Sequence, residues 1–373
     1  MRICIITHVQ HIKERNEYFG YAPYIREMNI WIKFVDEVIV VAPLIQEQFN
    51  PIYEKYSHSN LDFYQVEEFD IASKSNAFKA ILKLPKILIQ VYRSMKKADH
   101  IHLRCPGNMG LIGAVVQLFF PKKIKTAKYA GNWDPKSKQP WSYRFQKWIL
   151  SNTFLTRNMQ VLVYGEWKGS TKNIKSFFTA TYSEEETRRL GEGEREGDEV
   201  RFLFVGTLSK GKQPLYVIQL VEELYRKGKK VTIELYGEGV LRKEIEHYIT
   251  QNNLEAIVFL KGNQSKETVL KAYQSSHFLI LPSKSEGWPK VVAEAMFWGC
   301  VPIASPVSCV SYMMGNGSRG IILQEELNQD VGQITTVINN QDLYQKMALE
   351  GQTWSRQFTT DKFEIEIRKL LRN

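Results

Sequence analysis

The stretch Ser285-Glu286-Gly287-Trp288-Pro289-Lys290-Val291-Val292-Ala293-Glu294-Ala295-Met296 constrains the fold more than any other part of the chain. An apolar run, His277-Phe278-Leu279-Ile280-Leu281-Pro282, precedes it and reads as a buried strand. Pro289 suits a first helical turn, where a missing N–H costs nothing. The helix runs on through Phe297-Trp298-Gly299-Cys300 into a second apolar strand, Val301-Pro302-Ile303-Ala304. Strand, turn, helix and strand in this order make a βαβ crossover, the unit of a parallel sheet. A polar Gly-containing turn entering a helix is also where α/β proteins bind anions, because unpaired backbone N–H groups and the helix dipole point outward. Glu286 lies in that turn and Glu294 on the helix, so both carboxylates stand beside such a site as acceptors for hydroxyls of a sugar or ribose.

The same alternation extends over the whole chain. In the first half Arg2–Ile6, Glu37–Val41, Ala98–Leu103 and Lys125–Tyr129 read as strands, and Tyr24–Val35, Ala77–Lys97, Gly110–Phe120 and Trp141–Asn152 as helices. The second half repeats the scheme. Val200–Val205, Lys230–Tyr236 and Ile257–Leu260 are its strands, and Gln213–Lys227, Leu241–Asn252 and Lys266–Ser275 its helices. Such alternation predicts parallel sheets covered by helices on both faces. At 373 residues the chain exceeds a usual single core, and two domains are expected. The charged segment from Ser183 to Glu199, with almost no apolar residue, reads as a surface linker between them. A last helix is expected from Thr360 to Leu371.

No apolar stretch reaches the ~18 residues that a spanning helix needs. The chain opens on a strand, so no signal peptide is expected ahead of the fold. Cys4, Cys105, Cys300 and Cys309 lack CxxC spacing, which fits reduced thiols and a cytoplasmic location. Charge is distributed unevenly. Residues 1–164 carry 23 Lys and Arg against 13 Asp and Glu, whereas residues 165–373 carry 27 against 27. The whole excess of +10 therefore sits in the first half, and one-sided charge calls for an anionic partner there. Between Phe78 and Lys97 the cations Lys79, Lys83, Lys86, Arg93, Lys96 and Lys97 are interleaved with apolar residues, and Trp141–Trp148 adds a basic-aromatic segment. This pattern suits an anionic membrane surface. Nucleic acid is not an expected partner, because no binding motif accompanies the charge.

The Ser285–Met296 block resembles the signature of the family 4 glycosyltransferases, retaining enzymes of the group 1 type whose Glu-x7-Glu motif sits at this strand-turn-helix. There it often reads Glu-Gly-Phe-Pro, then an apolar stretch, then Glu-Ala. The resemblance implies the α/β GT-B fold, with two facing Rossmann-like domains and a C-terminal helix crossing back to the first. On that pattern the domains are residues 1–182, 183–352 and, for the returning helix, 353–373. Further motifs agree. Phe204-Val205-Gly206-Thr207-Leu208-Ser209-Lys210-Gly211-Lys212 matches the family's Gly-Arg-Leu-x3-Lys at Gly206, Leu208 and Lys212. Thr207 stands where Arg is usual and Gln213 where Gly is usual, and Lys210 or Lys290 is available as a second charge. Tyr236-Gly237-Glu238-Gly239 matches a Gly-x-Gly at which missing side chains let a nucleotide approach the backbone.

What the resemblance implies for function is the transfer of a sugar from a nucleotide-sugar to a hydroxyl acceptor with retention. Glu286 would hold the donor sugar and Glu294 the ribose. Lys212, with backbone N–H groups at Gly287, Lys290 and Val291, would stabilise charge on the leaving diphosphate, and Gly206, Thr207, Gly237 and Trp288 would complete the donor site. The nucleotide-sugar is a co-substrate, and neither cofactor nor metal is expected. In the first domain Ala130 falls where the family often has a histidine. His8, Asn132, Trp133 and Asp134 are the expected acceptor side, because ligands of open α/β sheets lie beyond the carboxyl ends of the strands. With the basic first half, the expected acceptor is a lipid-linked or glycan intermediate of bacterial surface-polysaccharide synthesis, at the inner membrane face. Open alternatives are a soluble acceptor, a GT-B epimerase or phosphorylase, and a non-catalytic partner subunit, to which Thr207 and Ala130 point. His100 and His102 share one strand face without a third ligand and read as a packed pair.

Overall fold

A computed structural model of the chain describes residues 1–47, 53–67, 74–189, 195 and 197–372, without the side chains of 74–82 and 189. Of the expectations above, the side chains of Phe78, Lys79, Ile81 and Leu82 lie outside the described residues, as do residues 190–194 and 196 of the charged segment. The chain forms two compact units. One comprises Met1–Phe178 with Phe363–Asn373, the other Thr179–Lys362. The chain thus leaves the first unit between Phe178 and Thr179, ahead of the Ser183–Glu199 segment. That segment opens as a short helix of the second unit.

The first unit contains, in order, β1 (Arg2–Ile6), β2 (His11–Glu14), β3 (Glu17–Tyr21), α1 (Ala22–Ile32), β4 (Glu37–Pro43), β5 (Tyr53–Lys55), β6 (Leu61–Val66), α2 (Lys74–Lys97), β7 (His100–Cys105), α3 (Asn108–Val116), β8 (Ile124–Tyr129), α4 (Trp141–Ser151), β9 (Met159–Tyr164) and β10 (Ile174–Phe177). Seven strands form a parallel sheet in the order β10-β9-β8-β7-β1-β4-β6. Ile3, Cys4, Ile5 and Ile6 are fully buried, as a strand covered on both faces must be. Strands β2, β3 and β5 make a small antiparallel sheet that the sequence reading leaves out.

The second unit contains α5 (Glu184–Arg189), β11 (Val200–Val205), α6 (Pro214–Arg226), β12 (Val231–Tyr236), α7 (Arg242–Gln251), β13 (Val258–Gly262), α8 (Lys266–Ser275), β14 (Phe278–Leu281), α9 (Lys290–Phe297), β15 (Val301–Ala304), α10 (Val310–Met313), β16 (Ile321–Ile322), α11 (Leu327–Ile338) and α12 (Gln341–Ser355). Its sheet is parallel in the order β13-β12-β11-β14-β15-β16. The last helix, α13 (Thr360–Arg372), buries Phe363, Ile367, Leu370 and Leu371, a stripe at helical spacing. From Phe363 onward it belongs to the first unit, where Phe363 packs on Phe177 and Phe178.

Both sheets share a property that locates their sites. In each, the order of strands along the chain reverses beside the first strand, between β1 and β7 in one unit and between β11 and β14 in the other. Loops leaving adjacent strands on opposite sides open a crevice at that point, which is where open α/β sheets bind ligands. Among the described residues no helix is long and apolar enough to cross a membrane. The four cysteines are free and buried. His100 and His102 are the packed pair expected: each lies 2.9 Å from the Thr126 hydroxyl, beside the Trp31 ring.

Candidate functional site

In the second unit the loop after β11 and the loop after β14 close on each other across the switch point. Gln213, in the left-handed conformation, ends the first loop and sends its amide to the Pro282 carbonyl, and Pro214 opens α6. The Lys284 N–H donates to the Gly211 carbonyl at 2.9 Å. These two ties, one from a side chain and one from the backbone, bring Lys212, 74 residues away in sequence, into an ion pair with Glu286. The Glu286 side chain is 10% exposed and that of Lys212 29%, so the pair is half withdrawn from water but reachable.

Glu286 sits just before α9, the helix with an N-terminus at Lys290 and Val291. The N–H groups of Val292 and Ala293 already return to the Pro289 carbonyl, and those ahead of them precede the intrahelical ladder. The Gly287 carbonyl is held from behind by the Ser308 hydroxyl at 3.1 Å and the Cys309 thiol at 3.2 Å. That hold turns the carbonyl inward and fixes the turn. A carboxylate, an ammonium and a helix N-terminus are therefore gathered at one point, an arrangement suited to a ligand with hydroxyls on one part and phosphate on another.

Glu294 lies one helical turn further along α9. Its two oxygens accept from the Thr181 hydroxyl at 2.7 Å and the Tyr273 hydroxyl at 3.0 Å. Neither partner is signalled in the sequence, because neither lies near the motif. Burial, and then the neighbouring Glu294, push the Tyr273 phenol well up, so it remains a donor. Gly206, Thr207 and Gly237 line a cavity of about 200 Å³ at the carboxyl ends of β11 and β12, with Asn263 and Gln264 on its rim. Trp288 is buried in an aromatic cluster with Trp354 and Phe358. It also lines a small cavity with Lys290 and Glu294.

The Gly-x-Gly reading changes in its physical reason. A Cβ on Gly237, at φ +138°, would fall 2.0 Å from the Gly206 carbonyl oxygen, and one on Gly239 would fall 2.4 Å from the Leu208 carbonyl oxygen. The missing side chains admit the neighbouring loop of the protein itself. That loop is laced on by the Leu208 N–H to Glu238 and the Leu241 N–H to Leu208.

In the first unit His8 follows β1 at the switch point, where a Cβ on Gly107 would stand 2.9 Å from its Nδ1. Desolvation and then the Arg104 guanidinium pull the His8 pKa down, which favours the neutral ring. Asn132 and Asp134 follow β8, but much of their polarity is spent locally. Asn132 accepts from the Asp134 N–H and Asp134 from the Lys136 N–H, both at 2.8 Å. Trp133, expected to line the acceptor side, is a buried member of the core, edge-on to Tyr129 with the Lys147 ammonium above it. Beneath His8, Glu27 binds Arg104 at 2.8 Å and Lys128 at 3.0 Å, a buried cluster that the sequence reading misses. Its signal was available: Arg104 and Lys128 are cations inside otherwise buried strands. Among the described residues no three His, Cys, Asp or Glu side chains gather as a metal site requires.

The chain is similar to known proteins. Residues 186–354 match the family of group 1 glycosyl transferases. An uncharacterized glycosyltransferase of Methanocaldococcus jannaschii is 29% identical over 176 residues, 47% of this chain and 48% of that protein. The alpha-D-kanosaminyltransferase of Streptomyces kanamyceticus is 26% identical over 166 residues, 44% of this chain and 43% of that one. The matched stretch spans about half the length of these two relatives. The crystal structure of Anabaena Alr3699/HepE in complex with UDP and glucose superposes with a TM-score of 0.69 at 15% identity, covering 100% of this chain and 99% of that one. The chain therefore has the GT-B fold, two Rossmann-like units with parallel sheets.

Proposed function

We propose that the protein is a retaining, metal-independent family 4 glycosyltransferase that moves a sugar from a nucleotide-sugar to a hydroxyl on a lipid-linked glycan intermediate of surface-polysaccharide synthesis. The reading rests above all on the Lys212–Glu286 pair at the head of α9. A leaving diphosphate gains charge as the glycosidic bond breaks. Lys212 and the backbone N–H groups at Gly287, Lys290 and Val291 are preformed donors for it, so they stabilise the transition state more than the bound donor. On departure of Lys212 toward the phosphate, Glu286 is free to accept from the sugar hydroxyls. Glu294, now held by Thr181 and Tyr273, accepts from the ribose. Anabaena Alr3699/HepE, similar in fold, was crystallised with UDP and glucose, which supports a donor of this class. His8, Asn132 and Asp134 at the carboxyl end of the first sheet take the acceptor. The positive balance of the first half favours a cytoplasmic, membrane-peripheral enzyme.

The direct experiment is a thermal-shift screen of nucleotide-sugars, followed by product analysis with a glycolipid acceptor. The right donor, at about 100 times its Kd, stabilises by ~2.7 kcal/mol. No shift with any nucleotide-sugar would sink the reading. Transfer is expected to persist in EDTA, with Lys212 opposing the diphosphate. A complete loss restored by Mg²⁺ would give that role to a metal.

A further inference from the structure

A cavity in the first unit lies away from His8, Asn132 and Asp134. It measures about 710 Å³ and is lined by Lys122, Lys125, Arg157 and Lys172, with Asn158 and Asn173 among its polar neighbours. Among the described residues no carboxylate lines it. Ile124 and Met159 in its wall begin β8 and β9, so it opens at the amino ends of the strands. His8 and Asn132 stand at the carboxyl ends, roughly 20 Å away along a six-residue strand. The local sequence is just as one-sided: between residues 100 and 164 ten Lys and Arg stand against one acid, Asp134.

The cations of the cavity are held without acidic partners. The buried Lys125 ammonium donates to the Phe120 carbonyl at 2.8 Å, and the Arg157 guanidinium lies 4.5 Å over the Phe154 ring. No ion pair within 4.0 Å joins these four to a carboxylate among the described residues. Burial pulls Lys125 down to about 8, a cost that a bound anion would remove.

Large exposed apolar side chains stand on the segments that carry or adjoin its lining residues. The loops carrying residues 117–122 and 152–158 are tied together by Gln117 to the Leu155 carbonyl at 3.1 Å and by Asn158 to the Pro121 carbonyl at 3.2 Å. Each loop projects a phenylalanine, Phe119 and Phe154, both 70% exposed. Helix α4 leads down to the second loop. Its Trp141, Phe145 and Trp148 share one face at i, i+4 and i+7 spacing and are all exposed, with Phe145 stacked on Trp148 at 5.8 Å. An exposed aromatic stripe that ends at a pocket of cations fits a lipid interface better than free solution. Aromatic rings sit at headgroup level, and cations meet the phosphates there.

We propose that this cavity binds the phosphoryl headgroup of an anionic phospholipid, with α4, Phe119 and Phe154 entering the membrane interface. The proposal deepens the membrane reading above and moves its centre. In α2, Glu67 pairs with Lys83 at 2.9 Å and Lys86 at 3.9 Å, so that helix is partly neutralised.

The test is co-sedimentation with phosphatidylcholine vesicles, with and without phosphatidylglycerol. Three proteins are compared: wild type, a cavity variant (Lys122→Gln, Arg157→Gln, Lys172→Gln) and an α2 variant (Lys83→Gln, Lys86→Gln, Lys96→Gln, Lys97→Gln). All these residues but Lys83 are exposed. Wild type should bind only the anionic vesicles. The cavity variant should lose about tenfold or more at physiological salt, and the α2 variant about threefold or less. Equal binding by cavity variant and wild type, or no binding by wild type, overturns the proposal. Wild type protected by inorganic pyrophosphate but indifferent to anionic vesicles would make the cavity a soluble-anion site and also overturns it. Donor-induced thermal stabilisation of the cavity variant should equal that of wild type. That arm separates the two readings, since vesicle binding without any nucleotide-sugar response would sink only the transferase.

Discussion

Lys212→Met is expected to lower kcat/KM by about 10²–10³, the usual consequence of removing one preorganised donor from developing charge. Glu286→Gln is expected to act mainly on kcat, because the carboxamide keeps the shape and loses the charge. Glu294→Gln should instead raise KM for the donor, since ribose contacts are made equally in the ground and transition states. Folding is followed alongside. The Glu286 carboxylate is 10% exposed, so Lys212→Met leaves a mostly buried charge unpaired and should lower Tm, whereas Glu286→Gln leaves a neutral amide and should keep Tm nearer that of wild type. The two side chains touch, so the double variant should be no worse than about the more damaged single one. Steady-state kinetics with the donor found by thermal shift decide the matter. Wild-type rates in the Lys212 and Glu286 variants would remove both from the chemistry.

How far that site could be read from residues alone depended on the kind of signal. The second unit was legible because β14 and β15 are continuous apolar runs, α6 and α9 open beside prolines, and Glu286 and Glu294 are fixed by one short motif. The pairing of Lys212 with Glu286 was not legible as a contact. It depends on β11 and β14 lying side by side, which is a property of strand order. The first unit gave less. Its β2–β3 hairpin turns on Arg15 and Asn16, both at positive φ, with glutamates flanking the turn where an apolar alternation would mark a strand. Strand β6 lies at the sheet edge and β10 is only four residues long, so neither shows a continuous buried run. Trp133 was read as a site residue because it adjoins a site motif, yet it is a buried member of the core, whereas Trp288, equally buried, lines a small cavity with Lys290 and Glu294. An aromatic side chain next to a functional turn gives no indication of which side of the turn it faces.

The Gly-x-Gly motif is where the physical reason mattered most, and it yields a sharp expectation. Gly237→Ala should destabilise the second unit severely. At φ +138° an L-residue costs of order 1–3 kcal/mol. The added Cβ would also stand 2.0 Å from the Gly206 carbonyl oxygen, a backbone atom with no rotamer to escape into. Overpacking of that sort adds typically 1–3 kcal/mol. The sum, about 2–6 kcal/mol, is a large part of the ~5–15 kcal/mol that holds a domain folded. The same substitution elsewhere should have the opposite sign. Gly332 lies exposed inside α11 with nothing within 4 Å of a built Cβ, so Gly332→Ala should stabilise by roughly 0.5–1 kcal/mol through helix entropy. Urea unfolding of the two variants beside wild type reads both effects from one probe, as the shift in midpoint at constant slope. If the glycines of this motif serve instead to let a nucleotide approach the backbone, Gly237→Ala would unfold at the wild-type midpoint and fail only in donor binding. Early unfolding with no nucleotide present is the outcome expected from the closeness of the two loops.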